Sequence, residues 1–191
     1  LIYLSMKPRV TKIESGRMLI SAPHLSDFFS RTVIFMTEYN ENGSIGFVIN
    51  RPVEEKLHEI IEDFPELDSK VMLGGPVETD IVNFIHRAGD MIEGGLEIGN
   101  GIYWGGNFET VKLLAEAKKL NPKDFIFFLG YSGWSGGQLD GELNENTWII
   151  SKAEEDLIFD TEPDKIWAET LRRMGGEYVT ISSFPADPSV N

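Results

Sequence analysis

Apolar positions along the chain recur with the two periods of regular structure. Leu57, Ile60, Ile61 and Phe64 fall at i, i+3, i+4 and i+7, one helical stripe after Pro52, and predict a helix over residues 53–64. Val111, Leu114 and Ala115 mark one face of a second helix, over 109–120, which stops before Asn121-Pro122. A third, over 161–174, opens on a capping-box pattern of Thr161 and Asp164 and closes at Gly175-Gly176. A shorter helix fits 138–143.

Strand-like runs carry more β-branched and aromatic side chains. Residues 32–39 and 44–50 flank Asn40-Glu41-Asn42-Gly43, whose Asn-Gly pair signals a hairpin. Further runs span 17–21, 71–73, 81–86, 101–104, 124–130, 147–151 and 177–182. Residues 125–129 are apolar throughout and read as buried on both faces. Several strands come in hairpin order before helices are interspersed, which predicts an α+β fold with a mixed sheet rather than a doubly wound parallel one. Residues 1–15 read as an arm ahead of a single domain over 16–191, and the glycine-rich stretch 94–106 as a surface loop with short strands.

A chain of 191 residues can bury roughly 70% of its unfolded surface, so its core needs no staple. Cysteine is absent, which excludes thiol catalysis, thiolate zinc sites and iron–sulfur clusters. That absence fits a reducing compartment, and the expected localisation is cytoplasmic. No stretch nears the roughly 20 apolar residues of a bilayer span. Leu1–Leu4 is too short for a signal-peptide core, and Met6 is a candidate start.

Charge narrows the choice of partners. The net value of −14 repels nucleic acid and anionic membranes, and no basic cluster is denser than Lys118-Lys119 or Arg172-Arg173. Both read as solvated helix faces, so neither nucleic acid nor membrane is an expected partner. The acids gather in 54–68 and 154–164, where they serve solubility.

Several short blocks stand out from ordinary structural sequence: Leu19-Ile20-Ser21-Ala22-Pro23, Ser44–Pro52, Gly74-Gly75-Pro76-Val77, Gly130-Tyr131-Ser132-Gly133-Trp134 with Gly137-Gln138-Leu139, and Trp148. In this order and spacing the chain resembles the YqgE/AlgH family of bacterial proteins, from about Gly16 to the C-terminus. The resemblance implies a cytosolic α+β protein with a strongly bent, partly barrel-like mixed sheet and three to four flanking helices. Some relatives are labelled transcriptional regulators through an effect on exopolysaccharide production, without a DNA-binding element. The family brings no catalytic residue to transfer. This chain departs from its pattern at Ser132, where Ala is common, and at Ser135-Gly136, where Gly-Pro is common.

Candidate chemistry centres on 130–138. Ser132 follows a buried strand and precedes a helix, as in a nucleophile elbow, but Trp134 stands where the motif needs Gly. Small residues there suit an anion at a helix N-terminus, yet neither a Walker loop nor GxGxxG is present. His24, His58 and His86 are scattered, so no metal and no cofactor is read from the chain. Arg31 and Arg51 read as partners of Glu38 or of Glu54-Glu55, or as ligand contacts. Four glycines within 130–137 let backbone approach either another segment or a ligand. The candidate ligand site is therefore Tyr131, Gly133, Trp134 and Gln138, with Arg31, Asn50 or Arg51 across from it. The expected function is a non-enzymatic binding or regulatory module with a protein or small-molecule partner. The alternatives are an enzyme or anion binder using 130–138, and then a direct DNA-binding regulator.

Overall fold

The computed structural model describes residues 10–186, so the expected arm lies outside the described residues up to residue 9. Strands β1 (Arg17–Ser21), β2 (Val33–Asn40) and β3 (Gly43–Val48) are followed by β4 (Lys70–Leu73) and β5 (Val77–His86). Next come β6 (Leu96–Gly99), β7 (Ile102–Trp104), β8 (Phe125–Ser135) and β9 (Trp148–Lys152). They form one sheet ordered β6-β7-β5-β8-β3-β2-β1-β9, to which β4 adds beside β8. Every pairing is antiparallel except β4 with β8.

Bulges curl this sheet. The register slips between Met36 and Glu38 in β2 and between Val77 and Val82 in β5, and each extra residue sharpens the local twist. The curl carries Gly16 so near β6 that a Cβ there would lie 2.9 Å from the Ile98 carbonyl oxygen. Asn100, between β6 and β7, donates through Nδ2 to the Ala153 carbonyl just past β9 at 3.1 Å. The two ends of the sheet thus lean together into a half-barrel, the bent, partly barrel-like sheet that the family resemblance implies.

Among the described residues six α-helices flank it: α1 (Leu57–Ile60), α2 (Phe108–Glu116), α3 (Gln138–Asn144), α4 (Glu155–Phe159), α5 (Pro163–Met174) and α6 (Glu177–Ser182). Of these, α2, α3 and α5 are the main ones. Alternate residues of each central strand feed different cores. Met18 and Ile20 of β1 join Trp167 and Leu171 of α5, whereas Leu19 joins Trp134, Trp148 and Leu139 of α3. In β8, Ile126 and Phe128 enter the first core, while Phe125 and Phe127 meet Val111 and Ala115 of α2. A sheet covered on both faces explains the continuous apolar run of 125–129.

Four expectations are corrected. The helix over 53–64 shrinks to α1, because Ile61 turns extended, Asp63 takes a φ of 56° and Pro65 disfavours helix at Phe64. Its apolar stripe survives: Leu57 and Phe64 still fill the core beside α2. Residues 177–182 form α6, not a strand. Gly175 and Gly176, at φ 76° and 57°, turn the chain back so that Tyr178 and Ile181 pack on the main core, which overrides the β-branched propensity. The capping box at Thr161 is absent, since α5 begins instead at Pro163 with Glu162 as its cap. Finally, residues 130–135 are not a loop but the second half of β8, paired with β3 from Gly43↔Ser135 to Gly46↔Ser132. Strand β6 falls among the short strands expected within 94–106, whereas helix α4 was not expected from the sequence.

Candidate functional site

The glycines around β8 mark a backbone crossing. A Cβ on Gly75 would lie 2.1 Å from the Tyr131 carbonyl carbon, and one on Gly74 2.4 Å from the Gly130 carbonyl oxygen. Ser132, buried against this crossing, donates through Oγ to the Gly74 carbonyl at 3.1 Å. Its hydroxyl therefore has a structural partner and no base beside it. Ser132→Ala is expected to lower stability by about 1 kcal/mol, the net worth of one neutral hydrogen bond. Thermal melting measures this, and labelling of Ser132 by a fluorophosphonate probe would contradict it.

Trp134 points to the α3 side and is 7% exposed. Its indole N–H donates to Glu142 Oε2 at 2.9 Å, and that of Trp148 donates to the same oxygen at 2.7 Å. Gln138 donates through Nε2 to the other oxygen of Glu142 at 3.1 Å, while its own Oε1 accepts the Ser135 N–H at 3.1 Å. Tyr131, Gly133 and Trp134, with Ile45 and Val77, line a shallow groove of about 430 Å³. Gln138 is not among its walls.

Arg31, Asn50 and Arg51 sit elsewhere. Ser44 pairs with Trp134, and Asn50 lies six residues along the chain, about 20 Å away at strand rise. Asn50 is a buried splint: Oδ1 accepts the Val33 N–H at 2.9 Å and Nδ2 donates to the Arg31 carbonyl at 2.8 Å. Arg31 stacks over Trp167, 4.2 Å from the ring centre, and donates to the Phe184 carbonyl at 2.7 Å. Arg51 donates to the Ser30 carbonyl. Burial lowers the pKa of both guanidinium groups. Their partners are carbonyls, where the sequence pointed to carboxylates.

A second concavity was not anticipated. A cleft of about 990 Å³ opens along β9, lined by Arg17, Ile150, Lys152, Glu154, Arg173 and Met174 among others. Two arginine-centred sets of ion pairs hold its lining carboxylates Glu154 and Glu155. Arg173 reaches Asp156 at 2.9 Å, Glu169 at 3.1 Å and Glu154 at 3.2 Å. Arg87 holds Asp160 at 2.7 Å, Asp124 at 2.9 Å and Glu155 at 3.2 Å. The bond to Asp160 leads the raising of the Arg87 pKa, and the bond to Asp156 leads that of Arg173. So Arg173, Glu154 and Glu155, read from sequence as solvated charge, instead line this cleft. The signal lay in the pairing of Glu154 with Arg173 and of Glu155 with Arg87, which only the fold brings together.

His86 is fully buried, stacked on Tyr103 and Phe125 with centroids 5.3 and 5.5 Å away. Its Nδ1 accepts the Ala88 N–H at 3.2 Å, which leaves Nε2–H to donate to the Gly105 carbonyl at 3.1 Å. This is the neutral ring. Burial lowers its pKa from the ordinary 6.5, with the Gly105 bond opposing. A depressed folded pKa means that the unfolded chain takes up the proton first as pH falls. The stabilisation is full above pH 6.5 and is lost as pH drops toward the folded value. The His86 ring protons are expected to titrate with a midpoint below 6.5 in an NMR pH series; a midpoint at or above 6.5 overturns the assignment. Among the described residues, no three His, Asp or Glu side chains are grouped to hold a metal ion. Nor is any helix long and apolar enough to cross a membrane.

A half-barrel of nine strands, clefted along its β9 edge and grooved where β8 meets β3, defines an α+β class with known counterparts. A family model described as AlgH-like matches residues 18–179. The UPF0301 protein of Pelodictyon phaeoclathratiforme is 41% identical over 181 residues, covering 94% of this chain and 97% of its own. That of Cytophaga hutchinsonii is 36% identical, covering 94% and 100%. The solution structure of the AlgH protein from Pseudomonas aeruginosa superposes with a TM-score of 0.73 at 29% identity, over 94% of this chain and 98% of that one. A crystal structure from Corynebacterium diphtheriae gives 0.76 at 18% identity, over 96% and 100%, a likeness of fold. The chain belongs to the AlgH-like family.

Proposed function

We propose that this protein is a non-enzymatic, cytoplasmic binding module that takes a small ligand in the cleft along β9. The observation that carries this reading is the cleft itself. At about 990 Å³ it sits at the upper end of the 300–1,000 Å³ range of small-molecule sites. Its charged lining is also held in place, since Arg173 binds three carboxylates, Glu154 among them, and Arg87 fixes Glu155. Titrating ¹⁵N-labelled protein with a fragment set of organic acids, amines and aromatics tests the reading. Amide shifts are expected to cluster at 150–155 and around Met174. Shifts confined elsewhere, or turnover of a fragment, would overturn it.

A second reading uses the groove of Tyr131, Gly133 and Trp134. The exposed Gly133 favours it, because backbone there is open beside the Tyr131 ring. The same titration separates the two, since shifts would then fall on 131–135 and 43–45.

Direct recognition of duplex DNA is disfavoured. A chain at −14 lacks the phosphate-neutralising surface from which such binding draws affinity. Fluorescence anisotropy at physiological salt is expected to show no sequence-selective binding below micromolar concentration. Nanomolar, salt-dependent, selective binding would restore the regulator reading.

A further inference from the structure

Resting on the cleft as the ligand site, we propose that it selects a small organic anion with an apolar body, clamped between Arg17 and Lys152. The two residues are register partners on β1 and β9. Like charges directly opposite across antiparallel strands destabilise a sheet. Such a pair is retained at low cost if an anion bridges it.

Among the described residues the local charges leave Lys152 unmatched and Arg17 only partly satisfied. The carboxylates in the cleft wall are committed: Glu154 to Arg173 at 3.2 Å and Glu155 to Arg87 at 3.2 Å. Lys152 is exposed and has no acidic partner among the described residues. Arg17 has only Glu14, bound through Nη2 at 2.6 Å. Its Nε is buried with no acceptor at all. A buried donor without a partner is rare in folded proteins and calls for an explanation. A ligand oxyanion that draws the guanidinium outward gives Nε the acceptor it lacks, a charge-assisted bond of the kind arginine makes to carboxylate, sulfonate and phosphate, while Nη2 keeps Glu14. Ile150 and Met174 in the same cleft supply apolar surface for the remainder of the molecule. Lys152, a cation without a carboxylate in a chain of net −14, and the unpartnered Nε opposite it are the features that select for an anion here.

The probe is 8-anilino-1-naphthalenesulfonate, with N-phenyl-1-naphthylamine as its uncharged counterpart. The sulfonate is expected to bind with a stoichiometry of one and the uncharged amine more weakly. The double variant Arg17→Met, Lys152→Met, shown folded by thermal melting, is expected to weaken sulfonate binding at least tenfold and leave the amine unchanged. Equal binding of both probes, insensitive to the double variant, would overturn the anion clamp. The cleft-filling variant Met174→Trp then separates the two claims. If it abolishes binding of both probes, the cleft remains a ligand site without charge selection. If it changes neither, the cleft reading falls as well.

Discussion

Gly75→Ala is expected to destabilise the protein by more than about 4 kcal/mol, the range reserved for substitutions that break a core. That is most of the 5–15 kcal/mol typical of a domain. The argument is steric. The added Cβ would lie 2.1 Å from both the carbonyl carbon and oxygen of Tyr131 and 2.3 Å from the Ser132 nitrogen. These are backbone atoms in the middle of β8, held on one side by β3 and on the other by β5, so they have nowhere to retreat. The same crossing carries the Gly74 N–H bond to the Leu129 carbonyl at 2.8 Å and the Val48 N–H bond to the Gly74 carbonyl at 2.8 Å. Pushing the strands apart would strain both. Gly141→Ala provides the contrast. It lies within α3, exposed, with nothing inside 4 Å of the added methyl, and is expected to stabilise by about 0.5–1 kcal/mol through helix propensity. Opposite signs in chemical denaturation are the expected result. A Gly75→Ala protein that melts with the wild type would show that the crossing is looser than its geometry.

The contrast also bears on what the sequence could tell. Period-two and period-3.6 patterning located most of the strands and the main helices, since burial is decided locally along each element. Legibility failed where a distant partner decides the outcome. Residues 130–135 look like a loop because glycine-rich sequence is read as freedom, whereas Gly130, Gly74 and Gly75 are demanded by two chains passing at contact distance. Residues 177–182 look like a strand because Val179, Thr180 and Ile181 favour one, but the turn at Gly175-Gly176 lays them on α5 and the main core. The candidate site divides in the same way. Tyr131, Gly133 and Trp134 do share a groove, because neighbours in one strand stay together. Arg31, Asn50 and Arg51 were set across from them as candidate ligand contacts, but β3 runs its length between the two groups. The β9 cleft was illegible because its charged lining comes from Arg17, from Lys152, Glu154 and Glu155, and from Arg173, which no window of sequence spans.

Glu142→Ala is expected to cost about 3 kcal/mol and to lower the melting temperature by roughly 10 °C. Glu142 is the single acceptor for two indole N–H groups, at 2.9 Å from Trp134 and 2.7 Å from Trp148, and both rings are nearly buried at 7% and 6% exposure. The two rings meet edge to face, 6.3 Å between centroids, and Trp148 continues edge-on to Phe29 at 5.6 Å. Hydrogen bonds to a charged acceptor contribute about 1.5–3 kcal/mol each, and a donor left buried and unpaired costs about 1–3 kcal/mol. The loss therefore exceeds that of an exposed ion pair, which contributes at most about 1 kcal/mol. Glu142→Gln separates the charge from the contact. It keeps one carbonyl oxygen between the indoles and should lose about half as much, since neutral acceptors bind more weakly. Because Trp134 walls the groove at β8, the Ala variant should also alter tryptophan emission before any unfolding, while the Gln variant leaves it near the wild type. Equal melting temperatures for all three proteins would mean that the indoles find other acceptors, and that α3 is held to the sheet by Leu139 and its apolar neighbours alone.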